Sequence, residues 1–263
     1  STPKPSSAAS DVYKRQLNEQ VFPNEAKLKG EEAYIFAKIA IMEYLTSGIT
    51  SAFDMYIYPK EVIQACVDCG FRIVQVSGLN NFTSSLEELE EQYVTYNDYH
   101  ELCSYKLGFH AEYTTDKKLL EGLAGLSEKY HAPVYTHNSE TKREVEECRQ
   151  RYGKSPTQLF EEMGLYRYGG GGYHCIWFDD EDIDIFAKRQ LSVVTNPASN
   201  LKLASGIAPL KKMQEAGINL AIGTDGPASN NCLDMFREMF LVTGLAKLRE
   251  HDAAVMDAND VLY

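Results

Sequence analysis

Short apolar segments alternate with longer amphipathic segments along most of this chain, and this alternation constrains the fold more than any other feature. The pattern predicts strands over residues 49–53, 71–77, 106–111, 133–137, 173–177, 191–195 and 218–223. It predicts helices over residues 31–47, 60–69, 86–103, 116–130, 142–150, 156–163, 180–189 and 208–216, and a last helix after Asn231. Strands that alternate with helices in this way form a parallel sheet built from βαβ units.

Polar and ionisable residues stand at the carboxyl ends of the predicted strands, namely Asp54, His110, His137, His174, Asn196 and Asp225. A doubly wound sheet would gather such residues at one switch point, whereas a (β/α)₈ barrel spreads them around a ring of strand ends. The sequence therefore predicts an α/β fold of the TIM-barrel type, incomplete by one strand. We interpret the run Gly169–Gly172 as a flexible approach to the strand after it, because a phosphate loop would open a helix.

The first sixteen residues differ from the rest of the chain. Residues 1–10 are rich in Ser, Pro and Ala without periodicity, and residues 11–16 match the in-frame translation of a common transposase sequencing adapter. We therefore expect residues 1–16 to be a foreign or disordered segment and residues 17–263 to be a partial barrel domain. On this interpretation the missing strand belongs to sequence before Leu17.

Charge and hydropathy exclude several classes of partner. A net charge of −12 opposes binding to a phosphate backbone, so we expect no nucleic-acid partner. No apolar run approaches the roughly 18 residues of a membrane span, so we expect no membrane partner either. The six cysteines are scattered through a domain large enough to fold without disulfides, which indicates reduced thiols and a cytoplasmic location.

The segment Pro133–Glu140 is predicted to place His137 at a strand end and Glu140 three residues later. A neutral imidazole is a good zinc ligand, and a carboxylate just beyond it is placed to move protons to and from water at the metal. Asp225 ends the last predicted strand and has the chemistry to bind metal and accept a proton, while His174 has the chemistry to hydrogen-bond the hydroxide. We predict one divalent metal ion, zinc, with iron as the alternative.

This predicted metal site is incomplete. His137 and Asp225 are two protein ligands, and catalytic zinc sites use three or more. The other histidines do not fill the gap, because His100 lies in a tyrosine-rich helical pattern, His131 precedes a strand and His251 is near the chain end.

Motifs at the strand ends resemble the amidohydrolase superfamily, and within it the S-adenosylhomocysteine/methylthioadenosine deaminase and chlorohydrolase-like group. The motifs are Gly108–Thr114, Thr136–Thr141, Tyr173–Cys175, Asn196–Gly206 and Gly223–Asn231. The resemblance covers residues 17–263. The long Asn-Pro-Ala-Ser-Asn block followed by Gly-Thr-Asp-Gly is its most specific part.

The resemblance implies a role for each strand-end candidate. His137 would be the metal ligand of the family's fifth strand, and Glu140 would be the shuttle that protonates the ring nitrogen. His174 would orient the attacking hydroxide, and Asp225 would bind metal and act as the base.

The resemblance also implies three substrate-binding residues. His110 would contact the purine, and Glu25 would grip the ribose hydroxyls. Arg72 aligns with a position that reaches the far end of the substrate in some members, with a structural salt bridge as the alternative interpretation.

The implied function is metal-dependent hydrolytic deamination of an adenosine-type nucleoside (S-adenosylhomocysteine, methylthioadenosine or 5′-deoxyadenosine) to the inosine analogue and ammonia. One alternative is a guanine, pterin or triazine aminohydrolase or chlorohydrolase on the same scaffold. Glu25 favours a ribosyl substrate, because free bases have no hydroxyl groups for it to bind. A second alternative is a non-catalytic barrel that lacks a complete metal site and acts as a binding protein.

Two departures from the family pattern bear on activity. The family's first strand carries a His-x-His pair that supplies the other metal ligands, and this chain has only residues 1–16 where that strand is expected. The family's small β-sandwich domain is also missing. We therefore expect the chain as written to be inactive, with the activity in a full-length parent protein. We expect the open barrel to cause poor solubility or a homo-oligomer.

Overall fold

The structure, a computed structural model, describes residues 19, 22–25 and 27–262, and for Phe22 and Glu25 it describes the backbone alone. The segment 1–16 that we expect to be foreign lies outside the described residues. One parallel sheet contains seven strands in sequence order, each hydrogen-bonded to the next along the chain. The strands are β1 (Ser51–Asp54), β2 (Arg72–Val76), β3 (Cys103–Phe109), β4 (Val134–Asn138), β5 (Gly170–His174), β6 (Ser192–Thr195) and β7 (Asn219–Ile222).

Helices connect the strands. They are α1 (Phe22–Glu25), α2 (Gly30–Thr46), α3 (Pro59–Cys69), α4 (Leu86–Tyr96), α5 (Lys117–Tyr130), α6 (Lys142–Tyr152), α7 (Pro156–Glu162), α8 (Asp180–Arg189), α9 (Pro197–Lys202), α10 (Leu210–Glu215), α11 (Pro227–Asn230), α12 (Met235–Glu250) and α13 (Ala258–Leu262). A 3₁₀ turn at Glu112–Thr114 follows β3. The sequence patterning predicted the longer helices and did not predict α1, α9, α11 or α13.

Aromatic contacts across the interior establish that the sheet is curled. Phe53 on β1 lies against Tyr135 on β4, with ring centroids 4.8 Å apart, and against Tyr173 on β5 at 5.7 Å. These strands are not neighbours in the sheet, so only curvature brings their side chains together. The prediction of an incomplete TIM-type barrel is confirmed.

Alternate side chains of the strands point outward and form the main hydrophobic core with the helices. Leu107, Phe109 and Val134 are fully buried in this layer. Phe160 of α7 packs edge-to-face on Phe109, with ring centroids 4.9 Å apart. The hydrophobic core therefore lies between the sheet and the helices, away from the polar strand ends.

The glycine run after α7 corrects one prediction. We expected a flexible approach to a strand over residues 173–177, but β5 spans Gly170–His174 and includes the last three glycines of the run. A Cβ at Gly170 would lie 1.9 Å from the carbonyl oxygen of Val134, and one at Gly171 would lie 2.4 Å from that of Ser192. The neighbouring strands approach so closely that side chains are excluded, and the glycines are therefore strand residues.

The helix predicted over residues 86–103 was wrong in its second half. The observed helix α4 ends at Tyr96, and β3 begins at Cys103. The side chain of Asn97, directly after the helix, accepts a hydrogen bond from the backbone N–H of Tyr105 at 3.3 Å. Regularly spaced tyrosines continue past Tyr96 and extend the helical pattern beyond the true end.

Two further expectations concern the surface. Among the described residues, no helix combines the length and apolar character that crossing a bilayer requires. Apolar side chains remain exposed on α2, including Phe36, Ile39 and Met42. The expected homo-oligomer stays a prediction.

The aromatic core layer gives a stability test. We expect Phe160→Ala to lower the free energy of unfolding by about 3–5 kcal/mol, because it opens a cavity beneath fully buried rings. Phe82→Ala is the matched control, since that side chain is 78% exposed and its loss should change stability by less than about 0.5 kcal/mol. Urea titrations of both variants measure the difference, and equal losses would contradict the assigned core.

Candidate active site

Three histidine rings meet at the carboxyl ends of neighbouring strands. His110 follows β3, His137 lies near the end of β4, and His174 ends β5. The ring centroids of His110 and His137 are 4.9 Å apart, and those of His137 and His174 are 5.6 Å apart. Asp225 follows β7, and its Oδ2 lies 3.9 Å from Nε2 of His174. The structure thus brings together four of the predicted site residues.

Hydrogen bonding fixes which nitrogen of His137 is free. Its Nδ1 lies 2.8 Å from the carbonyl oxygen of His110, and a carbonyl oxygen only accepts hydrogen bonds. Nδ1 therefore carries the proton and Nε2 carries a lone pair. Burial, and then the neighbouring His174, lower the pKa of His137. A neutral imidazole with a free Nε2 is the form that binds a metal ion.

Asp225 is an ionised carboxylate inside the site. Burial opposes ionisation, but His174 and two hydrogen bonds outweigh it and lower the pKa of Asp225. The hydroxyl of Ser199 donates to Oδ2 at 2.5 Å, and the backbone N–H of Gly226 donates to Oδ1 at 2.6 Å. Asp225 also has a left-handed backbone, with φ of 58°, which is a strained conformation typical of functional strand ends.

The pKa of His174 is shifted in the opposite direction from the pKa values of His110 and His137. Burial lowers its pKa, but the carboxylates of Glu140 and Asp225 outweigh burial, and the pKa of His174 is raised. Burial, with His137 and His174 nearby, lowers the pKa of His110 to about 3. The site therefore contains two neutral imidazoles beside a third that two carboxylates stabilise in its charged form.

A buried carboxylate holds the loop that carries Glu140. Glu144 in α6 accepts hydrogen bonds from the backbone N–H groups of Ser139 at 3.0 Å and of Glu140 at 2.9 Å. The hydroxyl of Ser205 donates to Oε1 of Glu140 at 3.0 Å. Glu140 is thus fixed from both its backbone and its side chain.

The other two predicted substrate-binding residues are Arg72 and Glu25. Arg72 is exposed and is the first residue of β2, so it stands at the end of the strand opposite to the histidines. The role of Arg72 in substrate binding stays a prediction. The backbone of Glu25 is in α1, but its side chain lies outside the described residues.

Four contacting residues were missed by sequence reasoning: Ser199, Asn200, Ser205 and Glu144. The first three lie in the block Asn196–Gly206, whose sequence we identified as a motif without assigning any residue a role. Glu144 is the third helical residue after Thr141, and this spacing is the signature of a capping box. That signature predicts a bond to the backbone of Thr141 alone, not a link to Ser139 and Glu140.

Comparison with known proteins places the chain in a family. The Amidohydrolase family profile matches residues 6–263. The chain belongs to the amidohydrolase family. The match overlaps the segment 1–16, whose foreign origin stays a prediction.

Curated relatives within the family are nucleoside deaminases by name. The chain is 36% identical over 254 residues to a 5′-deoxyadenosine deaminase from Methanothermobacter thermautotrophicus, covering 94% of this chain and 60% of the relative. It is 36% identical over 253 residues to a 5-methylthioadenosine/S-adenosylhomocysteine deaminase from Caldanaerobacter subterraneus, covering 94% and 58%. The chain therefore spans about three fifths of the length of these relatives.

Solved amidohydrolases share the fold. An adenosine deaminase from Xanthomonas campestris with bound zinc superposes with a TM-score of 0.88 at 32% identity, covering 94% of this chain and 58% of that one. A guanine deaminase from C. acetobutylicum superposes with a TM-score of 0.86, covering 94% and 64%, and its 22% identity makes it a likeness of fold alone.

The donor atoms at the strand ends fit a zinc ion in part. Nε2 of His137 and the carboxylate of Asp225 are suitable ligands, and both are oriented by hydrogen bonds from their other atoms. Within the described residues, no group of three or more His, Cys, Asp and Glu side chains is placed to hold a metal ion. Any zinc site on this chain therefore needs ligands in addition to these two.

Glu144 gives a pH test of the site's framework. Burial, and then the nearby Glu140 carboxylate, raise the pKa of Glu144 from 4.5 to about 7. A carboxyl group with a raised pKa contributes stability that is fully present below about pH 4.5 and is lost as pH rises through about 7. The stability of Glu144→Gln relative to wild type should therefore increase from pH 5 to pH 8, by on the order of 3 kcal/mol.

The control for this measurement is Glu146→Gln on the same helix, where the side chain is exposed and pairs with Lys142. Denaturant unfolding across the pH range measures both variants against wild type. Glu146→Gln should show no comparable trend. A pH-independent difference for Glu144→Gln would contradict the assigned burial of this charge.

Proposed function

We propose that the whole protein containing this chain hydrolytically deaminates an adenosine-type nucleoside. Water replaces the amino group at the purine ring, so that nucleoside and water give the inosine analogue and ammonia. The observation that carries the proposal is the convergence of Glu140, His174 and Asp225 with His137 at one edge of the sheet. The 36% identity to nucleoside deaminases supports this substrate class over the others.

His137 and Asp225 would hold the metal ion, which we propose to be zinc, together with additional ligands. When bound there, zinc would act as a Lewis acid that makes water a nucleophile at neutral pH. Asp225, ionised in this site, would accept the proton of the attacking water. Nε2 of His174, 3.9 Å from Oδ2 of Asp225, would hold that water in place by a hydrogen bond.

Glu140 would deliver a proton to the ring nitrogen of the purine. Its carboxylate contributes to the raised pKa of the His174 imidazole. Ser205 and the loop held by Glu144 keep the Glu140 carboxylate in one orientation.

His110, whose Nδ1 lies 3.1 Å from the hydroxyl oxygen of Thr114, would contact the purine, and Glu25 would bind the ribose hydroxyls. A cytoplasmic location stays a prediction.

The shuttle role is tested by Glu140→Gln in the whole protein loaded with zinc. We expect ammonia release to fall at least about 100-fold, because the amide cannot transfer the proton. Zinc content, measured by mass spectrometry, should stay unchanged, since Glu140 is not a proposed ligand. Glu146→Gln serves as the control and should retain turnover. Undiminished turnover in Glu140→Gln would rule out the shuttle.

A substrate panel tests the nucleoside class. The whole protein should deaminate 5′-deoxyadenosine, methylthioadenosine, S-adenosylhomocysteine or adenosine with a kcat/KM at least about 100-fold above that for free adenine or guanine, because binding energy from the ribose contributes to catalysis. Steady-state ammonia release measures the ratio. A preference for guanine or a triazine would instead support the alternative aminohydrolase or chlorohydrolase function.

A further inference from the structure

The segment Asn196–Gly206, which follows β6 and includes α9, touches three of the proposed catalytic residues. Its contacts are Ser199 to Asp225 at 2.5 Å, Asn200 to His174 at 2.7 Å and Ser205 to Glu140 at 3.0 Å. Asp225 follows β7, His174 ends β5 and Glu140 follows β4, so the three partners belong to three different strand ends. One short segment therefore links the proposed proton donor, the proposed water-orienting group and the proposed base.

The contact between Asn200 and His174 determines the chemistry of the imidazole. Both side chains are buried, each with 2% of its surface exposed. Oδ1 of Asn200 accepts from Nδ1 of His174, because an amide oxygen only accepts hydrogen bonds. Nδ1 therefore carries a proton in both the charged and the neutral ring, and when the ring is neutral its lone pair is on Nε2, the nitrogen that faces Asp225.

Several contacts fix this segment in place. The backbone carbonyl of Asn200 accepts from the N–H of Ser205 at 2.9 Å, and the indole N–H of Trp177 donates to the carbonyl of Ser205 at 2.8 Å. The backbone N–H of Trp177 donates to the backbone carbonyl of Ser139, the residue before Glu140. Buried Glu238 accepts from the N–H of Ala198 at 3.0 Å. The segment is thus tied to α12 and to the loops after β4 and β5.

We propose that Asn196–Gly206 is the positioning element of this site and that Asn200 sets the tautomer of His174. Asn200 is a positioning residue, because it acts through His174. The role of Asn200 in catalysis rests on the proposed function. The tautomer of His174 is a property of the folded chain and can be measured without turnover.

The test is ¹⁵N NMR of histidine-labelled protein, with the His174 signals assigned by their loss in His174→Gln. In wild type, at a pH high enough for the ring to be neutral, we expect Nδ1 to be its protonated nitrogen. Asn200→Leu, which has nearly the same shape and no acceptor, should lose this preference, while Asn200→Asp should keep it because a carboxylate accepts equally well. Leu201→Ala is the matched control from the same segment, because that side chain is 45% exposed, and it should leave the His174 tautomer unchanged.

An unchanged tautomer in Asn200→Leu would overturn the proposal. If Asn200→Leu does not fold, Asn200→Asp still tests the proposal. Loss of the Nδ1–H form of His174 in Asn200→Asp would overturn the proposal, and retention of that form would support it. In the active whole protein, Asn200→Leu should lower kcat about 10- to 100-fold with a smaller change in KM. An altered tautomer with unchanged kcat would overturn the positioning role. Failure of the deaminase proposal would instead appear as absent turnover in wild type with the tautomer intact.

Discussion

The parallel register of the sheet is the constraint on which the site depends. Because every strand runs in the same direction, each loop that follows a strand emerges at the same edge. The pairing of β4 with β5 sets His137 opposite Tyr173 and Asn138 opposite His174. A shift of one residue in this register would turn His137 away from the interior. The glycines of β5 protect the register, since their lack of side chains lets β4 and β6 pack directly against that strand.

Burial then converts this arrangement of residues into chemistry. In a low-dielectric site burial lowers the pKa of an imidazole that has no carboxylate partner, whereas two neighbouring carboxylates raise the pKa of an imidazole between them. His110 and His174 lie on either side of His137 and have pKa values shifted in opposite directions. The same burial would leave Asp225 protonated, but Ser199 and Gly226 donate hydrogen bonds that favour its charged form. The polar neighbours therefore decide each protonation state.

Local pattern was enough to predict the architecture and the strand-end residues. The predicted helix over residues 180–189 matches α8 (Asp180–Arg189), because acidic residues at its start and basic residues at its end agree with the apolar period. Strand ends could be predicted, since a polar residue after an apolar run marks the point where a strand leaves the core. The start of β5 could not be predicted, because glycines show no alternation of apolar and polar side chains. Only the close approach of β4 explains why glycines stand there.

The contacts that orient the site could not be predicted for a different reason. Asn200 and His174 are 26 residues apart, and Ser205 and Glu140 are 65 apart, so no local spacing indicates that they meet. Each such bond requires both partners to be buried and aimed at once, which only the closed fold provides. A polar group buried without its partner costs about 1–3 kcal/mol, so the segment Asn196–Gly206 and the catalytic residues stabilise one another. The segment contacts the site through Ser199, Asn200 and Ser205, none of which is ionisable. This mutual dependence explains how such a segment connects Glu140, the proposed acid, with Asp225, the proposed base.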